Sequence, residues 1–344
     1  MRGTVMQNLL ATHLTTWKWW YAIPTSFVLV LASVVTMVSM LFTELEPQTQ
    51  ALLTALLVPL QFILYGVLSL GIIALLSRRW PTRGDLGLKA GLTRRDLVIV
   101  GIVFVVTHAI FFIIGRLNPQ PGQAEAYFQE SNLGGPVLMS FITLFTMVIL
   151  APTCEELLYR GAILRPIHDA LARRGMATLG AVVGILVSSV AFALPHLGGD
   201  LTGWQALAYM VTGVGFGLVY VLTGSMTAAM VAHSLQSCLV MFQILAFGSG
   251  DHQVHPILWV LVVGTPIWVF LIARALASTG SSCRATDLLL RRTLPLTAGG
   301  GAPIGGGARM PHDTSARHPA TEGTQMTTRR TPERLRAHGE RGVR

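Results

Sequence analysis

The 344-residue chain is 52% apolar and only 12% charged, about half the charged share of a soluble domain, which excludes an ordinary soluble enzyme or binding module. Its net charge of +9 does not argue for nucleic acid. Between Thr279 and Arg344, 11 Arg stand against 5 acids and supply +6 of that charge, and most of the remaining basic residues flank apolar runs.

Eight apolar segments approach the roughly 20 helical residues that cross a hydrocarbon core of about 30 Å. In chain order they are Trp19–Phe42, Leu52–Leu76, Leu97–Gly115, Pro136–Pro152, Ala177–Pro195, Trp204–Leu222, Ser225–Phe247 and Pro256–Leu276. They lack the alternation of barrel strands, so the predicted fold is all-α, a polytopic transmembrane helical bundle of about eight spans. The first run is too long for a signal-peptide core and has no small-x-small cleavage site, so it is expected to stay as a span. Trp17, Trp19, Trp20 and Tyr21 read as an interfacial aromatic belt.

The loops alternate in charge. Arg78, Arg79, Arg83, Lys89, Arg94 and Arg95 separate spans two and three, and Arg160, Arg165, Arg173 and Arg174 separate four and five. The alternate loops carry Glu44, Glu46, Glu125, Glu130, Asp200 and Asp251 against one Arg116. The positive-inside rule then puts both termini in the cytoplasm of a protein of the cell membrane. Leu86–Asp96 reads as a short interfacial helix or turn. From Thr279 onward the chain is rich in Gly, Pro, Thr and Arg and poor in apolar residues, so residues 279–344 are expected to be a disordered basic tail.

Ionisable groups within spans are costly and so are functional candidates. Glu156 and Arg160 are i and i+4 on a helix and can pair. Glu155 is turned about 100° from them. One carboxylate is thus neutralised while the other is left to accept a proton, the work of a general base. The ordinary alternative is a helix end at the interface. Pro152 either starts a new turn or kinks the run.

His196 shares a helix face with Phe192. If helices four and five run antiparallel about Gly175, residues whose numbers sum to about 350 lie level, and Glu155 and His196 come out opposite each other. His233 lies deep in the seventh span, followed by Ser234, Gln236 and Ser237; helix-to-helix hydrogen bonding is its ordinary alternative. By helical rise His233 stands about 13 Å from the turn at Gly224 and His196 about 30 Å from Gly175. The site closes if helices four and five project from the membrane or helix five tilts. His108 has only Thr107 beside it and is read as structural. Nothing near Cys154 or Cys238 would activate a thiolate, and three cysteines in all (Cys283 is the third) form no disulfide framework.

Three motifs in order resemble the CAAX protease and bacteriocin-processing (CPBP, or Abi) family of intramembrane proteases. They are Glu155-Glu156-Leu157-Leu158-Tyr159-Arg160 with Pro152 before and Gly161 after, then Phe192-Ala193-Leu194-Pro195-His196, then His233. The family pattern reads Glu-Glu-x-x-x-Arg, Phe-x-x-x-His and His-x-x-x-Asn/Asp; here Ser237 stands at the last position. The resemblance implies that Glu155 activates a water with His196 and that His233 helps stabilise the oxyanion. Glu156, Arg160, Phe192 and Ser237 would support them. The implied protease core is 136–250, preceded by spans one to three in 1–135 and followed by a last span in 251–278. Glu155, His196 and His233 could also form a three-ligand zinc site with an open water position, or act without metal.

The implied substrates are peptides or lipid-modified proteins at the cytoplasmic membrane face, with membrane lipids as the surroundings and no nucleic acid. Two alternatives stay open: a non-proteolytic immunity or scaffold protein of the same family, and a small transporter with a carboxylate–histidine proton relay.

Overall fold

In lipid a helix satisfies its own backbone, and all the regular elements among the described residues are helical. The computed structural model describes residues 14–40, 46–119, 121–196 and 203–293. Helices α1 (Ala22–Met40) and α2 (Pro47–Ser77) are followed by a four-residue turn of helix, α3 (Arg83–Leu86). Then come α4 (Arg94–Leu117), the short α5 (Gln123–Glu130) and the long α6 (Val137–Ala172). A turn through Gly175, where φ is +79°, leads into α7 (Ala177–Ala193), extended by a 3-10 turn, Leu194–His196. The last three are α8 (Gly203–Thr223), α9 (Met226–Phe247) and α10 (Pro256–Thr293).

Seven helices among the described residues are long and apolar enough to cross a membrane: α2, α4 and α6 to α10. With these spans the chain is an integral membrane protein. The expected first span corresponds to α1, of which Trp19–Leu31 is the described apolar stretch. Leu86–Asp96, expected as a short helix or turn, is a turn that links two helices. Thr82 and Thr93 each begin a helix with a capping box, closed by Asp85 and Asp96. Between those helices Gly87 ends α3 at φ +72°, a conformation that favours glycine.

Two expectations are corrected. The fourth span does not stop at Pro152: α6 runs 36 residues, about 54 Å by helical rise, against a hydrocarbon core of about 30 Å. Arg160 and Arg165, expected in a basic loop, are instead buried inside this helix. The second correction is at the end of the chain. The last helix does not give way to the tail at Thr279 but continues to Thr293; the remainder of the expected tail, residues 294–344, lies outside the described residues.

Proline explains how α6 can be so long. Pro152 and Pro166 cannot donate a backbone hydrogen bond, and an α-helical turn would push each ring against the carbonyl four residues earlier. Just ahead of each lies a π-helical stretch, Thr146–Leu150 and Leu157–Leu164. The Ala151 N–H there bonds the carbonyl of Thr146, and the Arg165 N–H that of Arg160, both five residues back. The widened turn absorbs the proline without breaking the helix. The Ala162 carbonyl, four residues before Pro166, accepts instead from Thr25 Oγ1 of α1 at 3.2 Å.

Helix α6 is the axis of the bundle, and α1, α2, α7, α8, α9 and α10 all pack on it. Leu158 to Leu164 are buried on every side. Pairing with α7 is antiparallel. A side chain at Gly180 would strike the His168 carbonyl, Gly184 abuts Leu164, and Tyr159 meets Phe192 ring to ring at 5.2 Å.

Candidate active site

The π stretches bracket one regular segment, Ala151–Glu156, and it carries both glutamates. Glu156 is fully buried, and its Oε1 accepts from Arg160 Nη1 at 3.0 Å and from His233 Nδ1 at 3.0 Å. A carboxylate only accepts, so the Nδ1 proton of His233 is assigned to this bond and Nε2 is left to exchange a proton elsewhere. That Nε2 faces Glu155 Oε2 at 3.6 Å, longer than a hydrogen bond. Glu155 and His233 are 6% exposed each, which leaves them at the edge of the buried cluster and not sealed within it.

Arg160 is held by hydrogen bonds at both terminal nitrogens and by three rings. Its Nη2 donates to the Gly213 carbonyl of α8 at 2.7 Å. Three rings enclose the guanidinium: Phe216 at 5.4 Å, Phe192 at 5.5 Å and Tyr159 at 5.8 Å. Gly213 also lets α8 approach α7 closely: a Cβ there would lie 2.9 Å from Ser189 Cα of α7. The chain from Gly213 through Arg160 and Glu156 to His233 therefore fixes one imidazole against Glu155.

Phe192 is the hub of the surrounding wall. Its ring lies 5.3 Å from His196, 5.6 Å from His233 and 6.1 Å from Phe216, while Phe216 stacks on His233 at 4.3 Å. His196 sits on the 3-10 turn that ends α7. Its Nδ1 donates to the Phe192 carbonyl at 2.9 Å, and its ring stacks on Tyr209 of α8 at 3.9 Å.

The structure thus brings Glu155, Glu156, Arg160 and His233 into direct contact and joins His196 to them through Phe192. The imidazole that faces Glu155 is that of His233, not that of His196. The α6–α7 register is as counted, but α9 inserts His233 next to the glutamate, and the tighter 3-10 turn ties His196 back to its own helix. Ser237 lies one turn beyond His233 on α9 and is half-buried. Cys154 and Cys238 are free thiols. His108 bonds the Phe104 carbonyl of its own helix, away from this cluster.

A zinc site needs three converging donors. Among the described residues no three His, Cys, Asp or Glu side chains are grouped to hold a metal. Both nitrogens of His233 face carboxylates, and His196 Nδ1 faces a carbonyl.

A second buried polar cluster lies two turns further along α6 and has no counterpart in the sequence motifs. Asp169 Oδ2 accepts from Arg165 Nε, and from the amide and hydroxyl of Thr15, each at 2.8 Å. Its Oδ1 meets His168 Nδ1 at 2.7 Å. Arg165 also reaches the Tyr220 hydroxyl, which donates to the Leu86 carbonyl at 3.1 Å. The cluster fastens the segment before α1, the end of α6, α8 and the α3 turn together. Its signal in the sequence is the i,i+4 spacing of Arg165 and Asp169, the same spacing as Glu156 and Arg160.

Residues 137–239 match the family model described as Rce1-like, type II CAAX prenyl endopeptidase Rce1-like. No curated protein and no solved structure matches the chain. The match begins at the first residue of α6 and ends within α9, so it takes in every residue of the Glu155–His233 cluster.

Proposed function

Since residues 137–239 form an Rce1-like domain in a membrane-embedded chain, we propose that the protein is an intramembrane endopeptidase and that Glu155 is its general base. The observation that carries this reading is the Glu155–His233–Glu156–Arg160 chain, in which one carboxylate is tied by Arg160 and the other faces an imidazole nitrogen. Glu155 takes a proton from a water held between its Oε2 and His233 Nε2. The water oxygen bonds to the scissile carbonyl carbon, and the carbonyl becomes a tetrahedral oxyanion. Glu155 passes this proton to His233 Nε2, whose N–H then donates to the oxyanion and returns the proton to Glu155 as the charge collapses. As the C–N bond breaks, the proton on Glu155 passes to the leaving amine. Glu156 holds His233 in the tautomer the step needs, as the acid of a hydrolytic triad does for its histidine.

Substrates on this reading are peptides or the C-terminal tails of lipid-modified proteins, cut at the cytoplasmic membrane face of the cell membrane, with both chain termini on that side. The test is Glu155→Gln, which keeps the side chain's shape and removes the base. Purified protein in nanodiscs, assayed with prenylated and unmodified peptides, is expected to lose about 10²- to 10⁴-fold in kcat with its melting temperature retained. Unchanged cleavage would overturn the assignment of Glu155. A wild-type protein that cleaves neither substrate, yet binds them no better or worse than the Glu155→Gln variant does, would favour the scaffold alternative.

A further inference from the structure

Away from this site, where the end of α6 meets the segment before α1, an open pocket of about 300 Å³ is lined by Lys18, Trp19, Trp20, Ala170, Arg173 and Arg174. Three of its six lining residues are cationic and no carboxylate is among them. The nearest acid along α6, Asp169, is fully buried and already accepts from Thr15, Arg165 and His168. The pocket is therefore an uncompensated positive site.

It is also a constructed one. Arg173 donates to the Thr15 carbonyl and, at 2.6 Å, to the Trp17 carbonyl. Those bonds hold the segment before α1 against the end of α6, so Lys18 is carried to Arg173 and Arg174 by the fold. Trp19 and Trp20 are 52% and 38% exposed beside the cations, at the start of the apolar stretch of α1, where a bilayer's headgroup level would fall. Tyr21 donates to the Leu76 carbonyl at the end of α2, which puts the pocket at the same end of the bundle as the basic loop with Arg78, Arg79 and Arg83.

We propose that this pocket binds the phosphate of an anionic phospholipid headgroup, with Lys18, Arg173 and Arg174 pairing the phosphate and Trp19 and Trp20 covering the glycerol and upper acyl region. The ligand class follows from the charge, and its source from the depth. A soluble phosphate would need no flanking tryptophans, whereas a lipid presents its phosphate at the height where they sit. The site depends on the membrane embedding and is independent of the peptidase reading.

Full-length protein would be placed in phosphatidylcholine nanodiscs with a minor fraction of brominated phosphatidylglycerol or, in parallel, brominated phosphatidylcholine, and tryptophan quenching compared. Brominated phosphatidylglycerol is expected to quench more, and the excess should vanish in a Trp19→Phe/Trp20→Phe variant, which locates it here. Each interfacial cation is worth about a five-fold preference, so Lys18→Gln/Arg174→Gln should cut the preference for the anionic lipid about 25-fold. Both side chains are exposed and form no hydrogen bond within the fold among the described residues, so this variant leaves the structure intact. Equal quenching by the two headgroups in the wild type, or an excess that is undiminished in the charge variant, would overturn the proposal. An excess abolished by millimolar inorganic phosphate would identify a soluble anion as the ligand and overturn the lipid assignment.

Discussion

Two adjacent glutamates in one helix are not interchangeable, and the difference lies in what each carboxylate touches. Glu156 is enclosed and shared between a guanidinium and an imidazole, while Glu155 meets only the far nitrogen of that imidazole. Glu155→Gln should therefore change chemistry and spare stability. Glu156→Gln should do both kinds of damage, because it leaves Arg160 as a buried charge without its counter-ion. Breaking such a pair costs about 3–5 kcal/mol, so a clear fall in melting temperature is expected alongside lost activity. A Glu156→Gln protein as stable as wild type would show that the pair is not the anchor inferred above. Ser237 stands where the resembled pattern has Asn or Asp, one turn beyond His233 and half-buried. An amide there reaches further and donates more firmly to an oxyanion. Ser237→Asn is expected to raise kcat about tenfold with KM unchanged, less than the roughly 10²- to 10³-fold that a whole oxyanion donor supplies, because the hydroxyl already supplies part of it. A drop in kcat would mean the hydroxyl already occupies the productive position.

At the level of elements, the start of α3 is fixed by local chemistry that can be titrated. Asp85 closes the capping box of α3 and pairs with Arg79. Burial alone would push its carboxyl up, but the hydrogen bonds from Arg79 and Thr82 outweigh that and hold it at about 2, below the usual 3.8. The folded value is depressed, so the stabilisation is fully present above about pH 4 and disappears as pH falls towards 2. Acid unfolding of wild type and Asp85→Asn in the same detergent should converge over that interval; curves that stay parallel through it would remove Asp85 from the account. The Glu156–Arg160 pair and the α6–α7 register were legible in residue spacing. The length of α6 was not. Pro152, followed closely by Arg160 and Arg165, has the composition of a span ending in a basic loop. Only the π turns that absorb the prolines, and burial that pairs the arginines with Glu156 and Asp169, carry the helix on. Similarly, the close pairing of Glu155 with His233 depends on where α9 enters the bundle, a long-range fact that spacing within α6 and α7 does not contain.

For the molecule as a whole, the long α6 resolves a mismatch of depth. His196 lies about 30 Å along its helix from Gly175 and His233 about 13 Å along its own from Gly224, yet both rings touch Phe192. They can meet because the end of α6 and the start of α7 extend past the level of Gly224, and the Asp169 cluster clasps that extension to Thr15, Tyr220 and the Leu86 turn. The extension, the basic α2–α4 connection and the pocket beside Trp19 thus share one end of the bundle, and α5 with Glu125 and Glu130 belongs to the loop that the alternation of charge places at the other. If the basic end is cytoplasmic, as the positive-inside rule has it, the two ends should differ in access to a membrane-impermeant thiol reagent. In a chain with its three native cysteines replaced, a cysteine at Arg83 or Arg174 is expected to label in inverted membrane vesicles and to resist in intact cells. A cysteine at Glu130 or Asp251 should do the reverse. The opposite pattern at all four positions would invert the protein and move the proposed cleavage to the outer face, while leaving the geometry of Glu155, Glu156 and His233 untouched.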